Sequence, residues 1–199
     1  MIRMIGVHEK RERMSVQYEK RYFNVVEYYR MAEAGVLSPD DRVELIEGEV
    51  VKMSPIGSRH AACVRRLDAL LNREATDLAQ VSVQNPVRLD DFSEPEPDVA
   101  LLRPRADFYA DSHPTPADVL LIVEVADTSV EFDRGIKLPL YARAGVPQVL
   151  IVNMPGEVVE SYSEPVNGAY QKFVRARRGE SVGIILLPNL SLSVDVALG

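Results

Sequence analysis

Cysteine is almost absent: Cys63 is the single one in 199 residues, which excludes an internal disulfide and any multi-cysteine zinc centre. No apolar run approaches the roughly 20 residues that a membrane span requires. The first twenty residues are charged and lack the apolar stretch of a secretory signal, so a cytoplasmic protein is expected. An excess of positive charge is missing as well. The net charge is −7 with a pI near 5.1, which argues against a broad nucleic-acid-binding surface. A local basic strip beside an acidic pocket stays open, because a bound metal would reverse that pocket's sign. No glycine-rich phosphate loop of either standard spacing occurs, which argues against a nucleotide-binding enzyme. Without an internal repeat, low-complexity tract or linker, residues 1–199 read as one domain. Within it, residues 1–22 form a charged N-terminal extension with six Lys/Arg against three Asp/Glu, expected to be solvated and frayed.

What is present is an ordinary globular composition, 46% hydrophobic and 27% charged. Asn24 caps an expected helix through about Ala34, with Val25, Tyr28, Tyr29 and Ala32 on one side. Gly35 ends that helix, and Ser38-Pro39-Asp40-Asp41 makes a turn. Val43 to Ile46 and Glu49 to Met53 flank Glu47-Gly48, a tight hairpin turn. A long helix is expected from about Arg59 to Leu78, with Val64, Leu67, Leu71, Ala75 and Leu78 as its apolar stripe. Val81 to Leu89 alternates apolar and polar residues as a half-buried strand does. Short apolar strands follow at Asp98–Leu102 and Val119–Ala126. A helix over Glu131–Ala144 is expected to kink at Pro139, which lacks a backbone donor. Gly145 and Pro147 stop it before a strand at Val149–Val152. The last fifty residues read as all-β: a hairpin about Asn167-Gly168, then strands near Val182–Leu187 and Leu190–Val196. The order predicts an α/β (α+β) sandwich with a mixed central sheet flanked by helices, an N-terminal helix and hairpin, and C-terminal β-hairpins.

One residue breaks the pattern with chemistry. Glu124 sits inside Val119-Leu120-Leu121-Ile122-Val123-Glu124-Val125-Ala126, a run that reads as a strand covered on both faces. A carboxylate there loses its water, which costs several kcal/mol unless a proton, a partner or a metal compensates. A second carboxylate, Asp98, opens the preceding apolar strand, and Lys137 follows on the next helix. Two acids and a base converging at a sheet are the raw material of a metal site.

The acidic loop ending in Pro97-Asp98, followed by a glutamate in an apolar strand, resembles the PD-(D/E)XK nuclease superfamily. More narrowly, the chain resembles the Uma family of restriction endonucleases, a bacterial group. The stretches that carry the likeness are Arg42-Val43-Glu44-Leu45-Ile46-Glu47-Gly48-Glu49, Ser58-Arg59-His60, Gln84-Asn85-Pro86-Val87-Arg88-Leu89 and Glu94-Pro95-Glu96-Pro97-Asp98-Val99. Val123-Glu124-Val125, Asp133-Arg134-Gly135-Ile136-Lys137 and Tyr141-Ala142-Arg143-Ala144-Gly145-Val146 continue it, so it runs from about Phe23 to the C-terminus.

The resemblance implies a restriction-endonuclease-like core and a metal-dependent endonuclease acting on DNA. It implies that Asp98 and Glu124 hold Mg²⁺ or Mn²⁺ together with the backbone carbonyl of Val125. Lys137 would stabilise charge in the transition state. The superfamily pattern puts lysine two residues after the glutamate, where this chain has Ala126; Lys137 on the following helix would replace it. Glu44 either completes the acidic cluster or faces solvent on its strand. His60 is a capping or core histidine, a substrate contact or a third metal ligand. Gln84 touches a metal-bound water or bonds across the sheet, and Tyr141 shares the helix face of Lys137, with packing as the default. Alternatives of a different class are a non-catalytic nuclease-fold binding module and a phosphodiesterase acting on RNA or a smaller substrate. The C-terminal hairpins offer a surface for a homodimer, two-fold dimers being the commonest assembly.

Overall fold

In the computed structural model, residues 19–38 and 40–199 are described. Residues 1–18 of the charged extension and Pro39 of the expected turn lie outside them. Helix α1 (Val25–Glu33) starts at Asn24, whose side chain accepts from the Glu27 N–H while Glu27 reaches back to the Asn24 N–H. This reciprocal box satisfies two orphan donors of the first turn. β1 (Val43–Ile46) and β2 (Glu49–Lys52) form a separate antiparallel hairpin. Its turn residues Glu47 and Gly48 both have positive φ, 49° and 80°, as a primed hairpin turn demands. α2 (Ser58–Ala75) follows, tightening into a 3₁₀ turn at Thr76–Leu78.

Among the described residues the main sheet has six strands. β3 (Gln80–Val83), β4 (Val99–Leu102), β5 (Val119–Ala126), β6 (Gln148–Asn153), β7 (Val158–Val166) and β8 (Ala169–Arg177) lie side by side in that order. Only the β5–β6 pair is parallel, and the connection between them is the helical segment that carries Lys137. β9 (Ser181–Ile184) and β10 (Leu187–Ser193) pair as a further hairpin. Among the described residues no helix is long and apolar enough to cross a membrane.

Every residue of β5 is buried, as its unbroken apolar run requires of a strand covered on both faces. Leu121, Val123 and Val125 pack toward Cys63, Leu67 and Leu71 of α2. Ile122 and Ala126 pack the other way, with Leu140 and Tyr141 of the helix after β5. The period of two therefore puts Glu124 on the second face.

Several boundaries differ from the expectation. The helix of 131–144 is three pieces: α3 (Val130–Phe132), a π-turn at Asp133–Lys137 and α4 (Leu138–Ala144). Pro139 has no N–H for an α-type bond to the Gly135 carbonyl, and its ring crowds that oxygen. The turn before it widens, and the Leu138 N–H bonds the Asp133 carbonyl five residues back. The strand expected over 81–89 ends at Val83, because Gln84 takes a positive φ of 51°. Leu78 is exposed rather than part of the apolar stripe. The final strand stops at Ser193, whose side chain accepts from the Val196 N–H and starts α5 (Val194–Leu198).

Candidate active site

The β4–β5 ladder runs from Leu101 opposite Leu121 to Val99 opposite Val123. One step further the register would set Asp98 opposite Glu124. There the strands exchange side-chain bonds instead. The Asp98 N–H donates to Glu124 Oε2 at 3.4 Å, and the Val125 N–H donates to Asp98 Oδ2 at 2.9 Å. On the other flank β3 and β4 pair Val83 with Val99, which places Gln84 beside Asp98. Gln84 Nε2 donates to Asp98 Oδ1 at 3.3 Å, and Gln84 N–H to the Asp98 carbonyl at 3.2 Å. Residues directly opposite share a face, so the two acids lie on one face where the strands fork.

Three other elements close around that fork. The hairpin supplies Glu44 of β1, which accepts from the Glu96 N–H at 3.2 Å. His60, in the first turn of α2, meets Asp98 Oδ2 through Nε2 at 3.0 Å, while its Nδ1 is buried with no partner among the described residues. Lys137, last residue of the π-turn, sits between two carboxylates, 3.1 Å from Glu44 Oε2 and 3.3 Å from Glu124 Oε1. The Tyr141 hydroxyl, one turn on, donates to Glu124 Oε1 at 2.6 Å. All the residues singled out from the sequence thus meet in one place. Lys137 is buried rather than a surface lysine, and Glu44 is buried too, so its solvent-facing alternative falls. Tyr141 does more than pack.

A cavity of about 440 Å³ opens onto this cluster, lined by Glu44, His60, Asp98, Glu124, Val125 and Lys137 among others. Three acids that the sequence reading did not assign also line it: Glu96, Asp127 and Asp133. Asp133 is buried and accepts from the Ser129 hydroxyl at 2.6 Å. Its sequence signal was its place four residues before Lys137, a spacing that puts both on one helix face.

Charge dominates the walls. Six carboxylates line the cavity against Arg42, Lys52, Lys137 and one histidine. Burial pushes the Glu124 carboxyl up to about 8; Lys137 opposes the rise, while Asp133 and Asp98 add to it. Burial likewise raises Asp133 and Glu96, the latter aided by Glu44. Burial alone would lower Lys137, but Glu124, Glu44 and Asp133 outweigh it, so the ammonium keeps its proton more firmly than usual. The hydrogen bond to Asp98 raises His60 against its partial burial. Burial thus favours the protonated form of Glu124 when no cation is near, as it does for Asp133 and Glu96.

A hard divalent cation fits such a donor set. Among the described residues no group of three or more His, Cys, Asp or Glu is arranged to hold a metal ion. Mg²⁺ asks for less, commonly one or two carboxylates completed by water and phosphate oxygens. Asp98 and Glu124 supply two such carboxylates on one wall of the cavity.

A family model described as "Uma2: Putative restriction endonuclease" matches residues 25–195. Among solved structures, the fold is similar to that of "a putative nuclease belonging to DUF820" from Anabaena variabilis ATCC 29413. That match has a TM-score of 0.68 and 12% sequence identity, covering 88% of this chain and 97% of that one. At so low an identity the likeness speaks for the fold alone. No curated protein matches the chain.

Proposed function

The chain belongs to the Uma2 family, and from that premise we propose that it is a divalent-metal-dependent endonuclease hydrolysing phosphodiester bonds in DNA. The observation that carries the reading is the fork between β4 and β5, where Asp98 and Glu124 face one acidic cavity with Lys137 3.3 Å from Glu124. Asp98, Glu124 and the Val125 carbonyl would hold Mg²⁺ or Mn²⁺. When bound, the ion supplies a water of lowered pKa and a polarised scissile phosphate.

The remaining residues orient and stabilise. Tyr141 fixes one oxygen of Glu124, and the Asp98 N–H fixes the other. His60, Gln84 and the Val125 N–H hold Asp98 from three sides. Glu44 anchors the Lys137 ammonium, which would stabilise the negative charge that builds on the phosphate only in the transition state. Ala126, the superfamily's usual lysine position, lies on the face of Glu124 beneath α4. Lys137 reaches that face from the opposite layer, which supports its role as the displaced lysine.

The test is incubation of the purified protein with plasmid DNA in Mg²⁺ or Mn²⁺, beside Asp98→Ala and Glu124→Ala. Cleavage by the wild type that both variants lose is expected. Cleavage in no metal condition, or equal cleavage by the variants, overturns the proposal. A parallel incubation with single-stranded RNA separates the DNA reading from an RNA-directed one.

A further inference from the structure

Arg134 and Glu160 form a second charged cluster that the proposed chemistry does not use. Glu160, on β7, is fully buried, and Arg134 clamps it through two bonds, Nε at 2.9 Å and Nη2 at 2.6 Å. The Tyr162 hydroxyl and Arg175 Nη2 complete its shell at 3.0 and 3.1 Å. The sheet registers give the cluster its meaning. Glu124 pairs with Ile151 of β6, Ile151 with Glu160, and Glu160 with Arg175 of β8. These residues form one row across the sheet, on the face that α4 covers.

The π-turn lies over that row and is fastened to it at two points three residues apart. Lys137 meets Glu124, and Arg134 meets Glu160. Between these anchors the turn has little apolar hold, since Ile136 is 42% exposed and Gly135 has no side chain. The geometry points to Arg134 as a positioning residue. Its bidentate pair with Glu160 sets the π-turn against the sheet and so places the Lys137 ammonium and the Asp133 carboxylate in the cavity. The inference rests on the nuclease reading for what Lys137 does, but not for where it sits. A planar guanidinium fork on a carboxylate fixes orientation as well as distance, which a point-charge ammonium does not.

The experiment uses full-length protein carrying ¹³C-lysine. The chain has five lysines, and the Lys137 side-chain resonance is identified by its loss in Lys137→Arg. Arg134→Gln is expected to shift that resonance while the other lysines stay in place. Arg134→Lys should shift it less. Arg175→Gln, which loosens Glu160 from the β8 side without touching the π-turn, should leave it unmoved. In the cleavage assay Arg134→Gln should lower kcat about 10- to 100-fold, the scale of a misplacement near 1 Å, with KM within about two-fold, and Arg134→Lys should recover part of the loss. A Lys137 resonance unmoved in folded Arg134→Gln, or moved equally by Arg175→Gln, overturns the inference. If Arg134→Gln fails to fold, Arg134→Lys against Arg175→Gln gives the same decision. Absence of cleavage by the wild type would sink the nuclease reading alone, and the resonance would still decide the clamp.

Discussion

Replacing Glu124 with glutamine should abolish cleavage and yet stabilise the metal-free protein. Burial, reinforced by Asp133 and Asp98, lifts its carboxyl from an ordinary 4.5 to about 8, against the opposing pull of Lys137 and Tyr141. In that interval the folded chain holds a proton that the unfolded chain has released. Stability therefore falls as pH rises from about 4.5 to about 8. At about 1.4 kcal/mol per pH unit, roughly 3 kcal/mol is lost between pH 4.5 and pH 7. Glutamine keeps the shape and carries no such proton. Like the protonated carboxyl it offers Tyr141 a neutral acceptor, but its amide nitrogen replaces the oxygen that accepts from the Asp98 N–H, at a cost of about 1 kcal/mol, and Lys137 retains Glu44 at 3.1 Å. The net expectation is a gain of about 2 kcal/mol at pH 7, or a Tm raised by about 4–8 °C for a chain of this size. Near pH 5 the gain should vanish.

Thermal denaturation of both proteins in EDTA from pH 5 to pH 8 measures this. Adding Mn²⁺ should reverse the order, because an ion bound by Glu124 stabilises only the wild type, by about 2.7 kcal/mol at a hundredfold excess over Kd. A Glu124→Gln protein less stable than the wild type at pH 8, or a difference that does not change with pH, would refute the electrostatic reasoning.

Tyr141→Phe leaves Glu124 Oε1 without its hydroxyl donor in a buried site, and urea unfolding should register a loss of about 1–3 kcal/mol together with slower plasmid cleavage. Glu160 titrates in the opposite sense to Glu124. Burial would raise it, but Arg134, Tyr162 and Arg175 outweigh burial and hold it below the ordinary 4.5, so its stabilisation is present above that value and lost as pH falls through its folded-state value. Glu160→Gln should be less stable than the wild type at pH 7 and should show a shallower loss of Tm on acidification below pH 4.5.

The fold was legible wherever pattern is local. The Glu47-Gly48 turn, the Asn24 cap and the continuous apolar run around Glu124 each state their structure within a few residues. The acids at 98 and 124 were legible for the same reason, since a carboxylate in an apolar strand is costly wherever it occurs. Long-range partners left no such trace. Arg134 and Glu160 are 26 positions apart, and only the sheet registers show that Glu160 shares a row with Glu124. The burial of Asp133 and Glu44 likewise depends on which layers close over them. The strand before Gln84 is shorter than its pattern suggests, because alternation extends past Val83 while the extended backbone does not. Its positive φ ends the strand and turns its amide toward Asp98.

Pro139 shows how a local defect can set a distant alignment. Asp133, Lys137 and Tyr141 are spaced by four, and in a helix of 3.6 residues per turn such a series drifts steadily around the axis. All three are nevertheless buried toward the sheet. The wider π-turn over Asp133–Lys137 advances less per residue and takes up that drift. The missing donor at 139 is what favours the wide turn. Pro139→Ala supplies an N–H to the Gly135 carbonyl and lets the segment relax toward a regular α-helix, rotating Asp133 away from the cavity. Hydrogen exchange should then find the new amide at position 139 protected, with cleavage reduced several-fold and stability little changed. An unprotected amide there with undiminished cleavage would mean that the sheet contacts of Arg134 and Lys137, and not the proline, impose the π-turn.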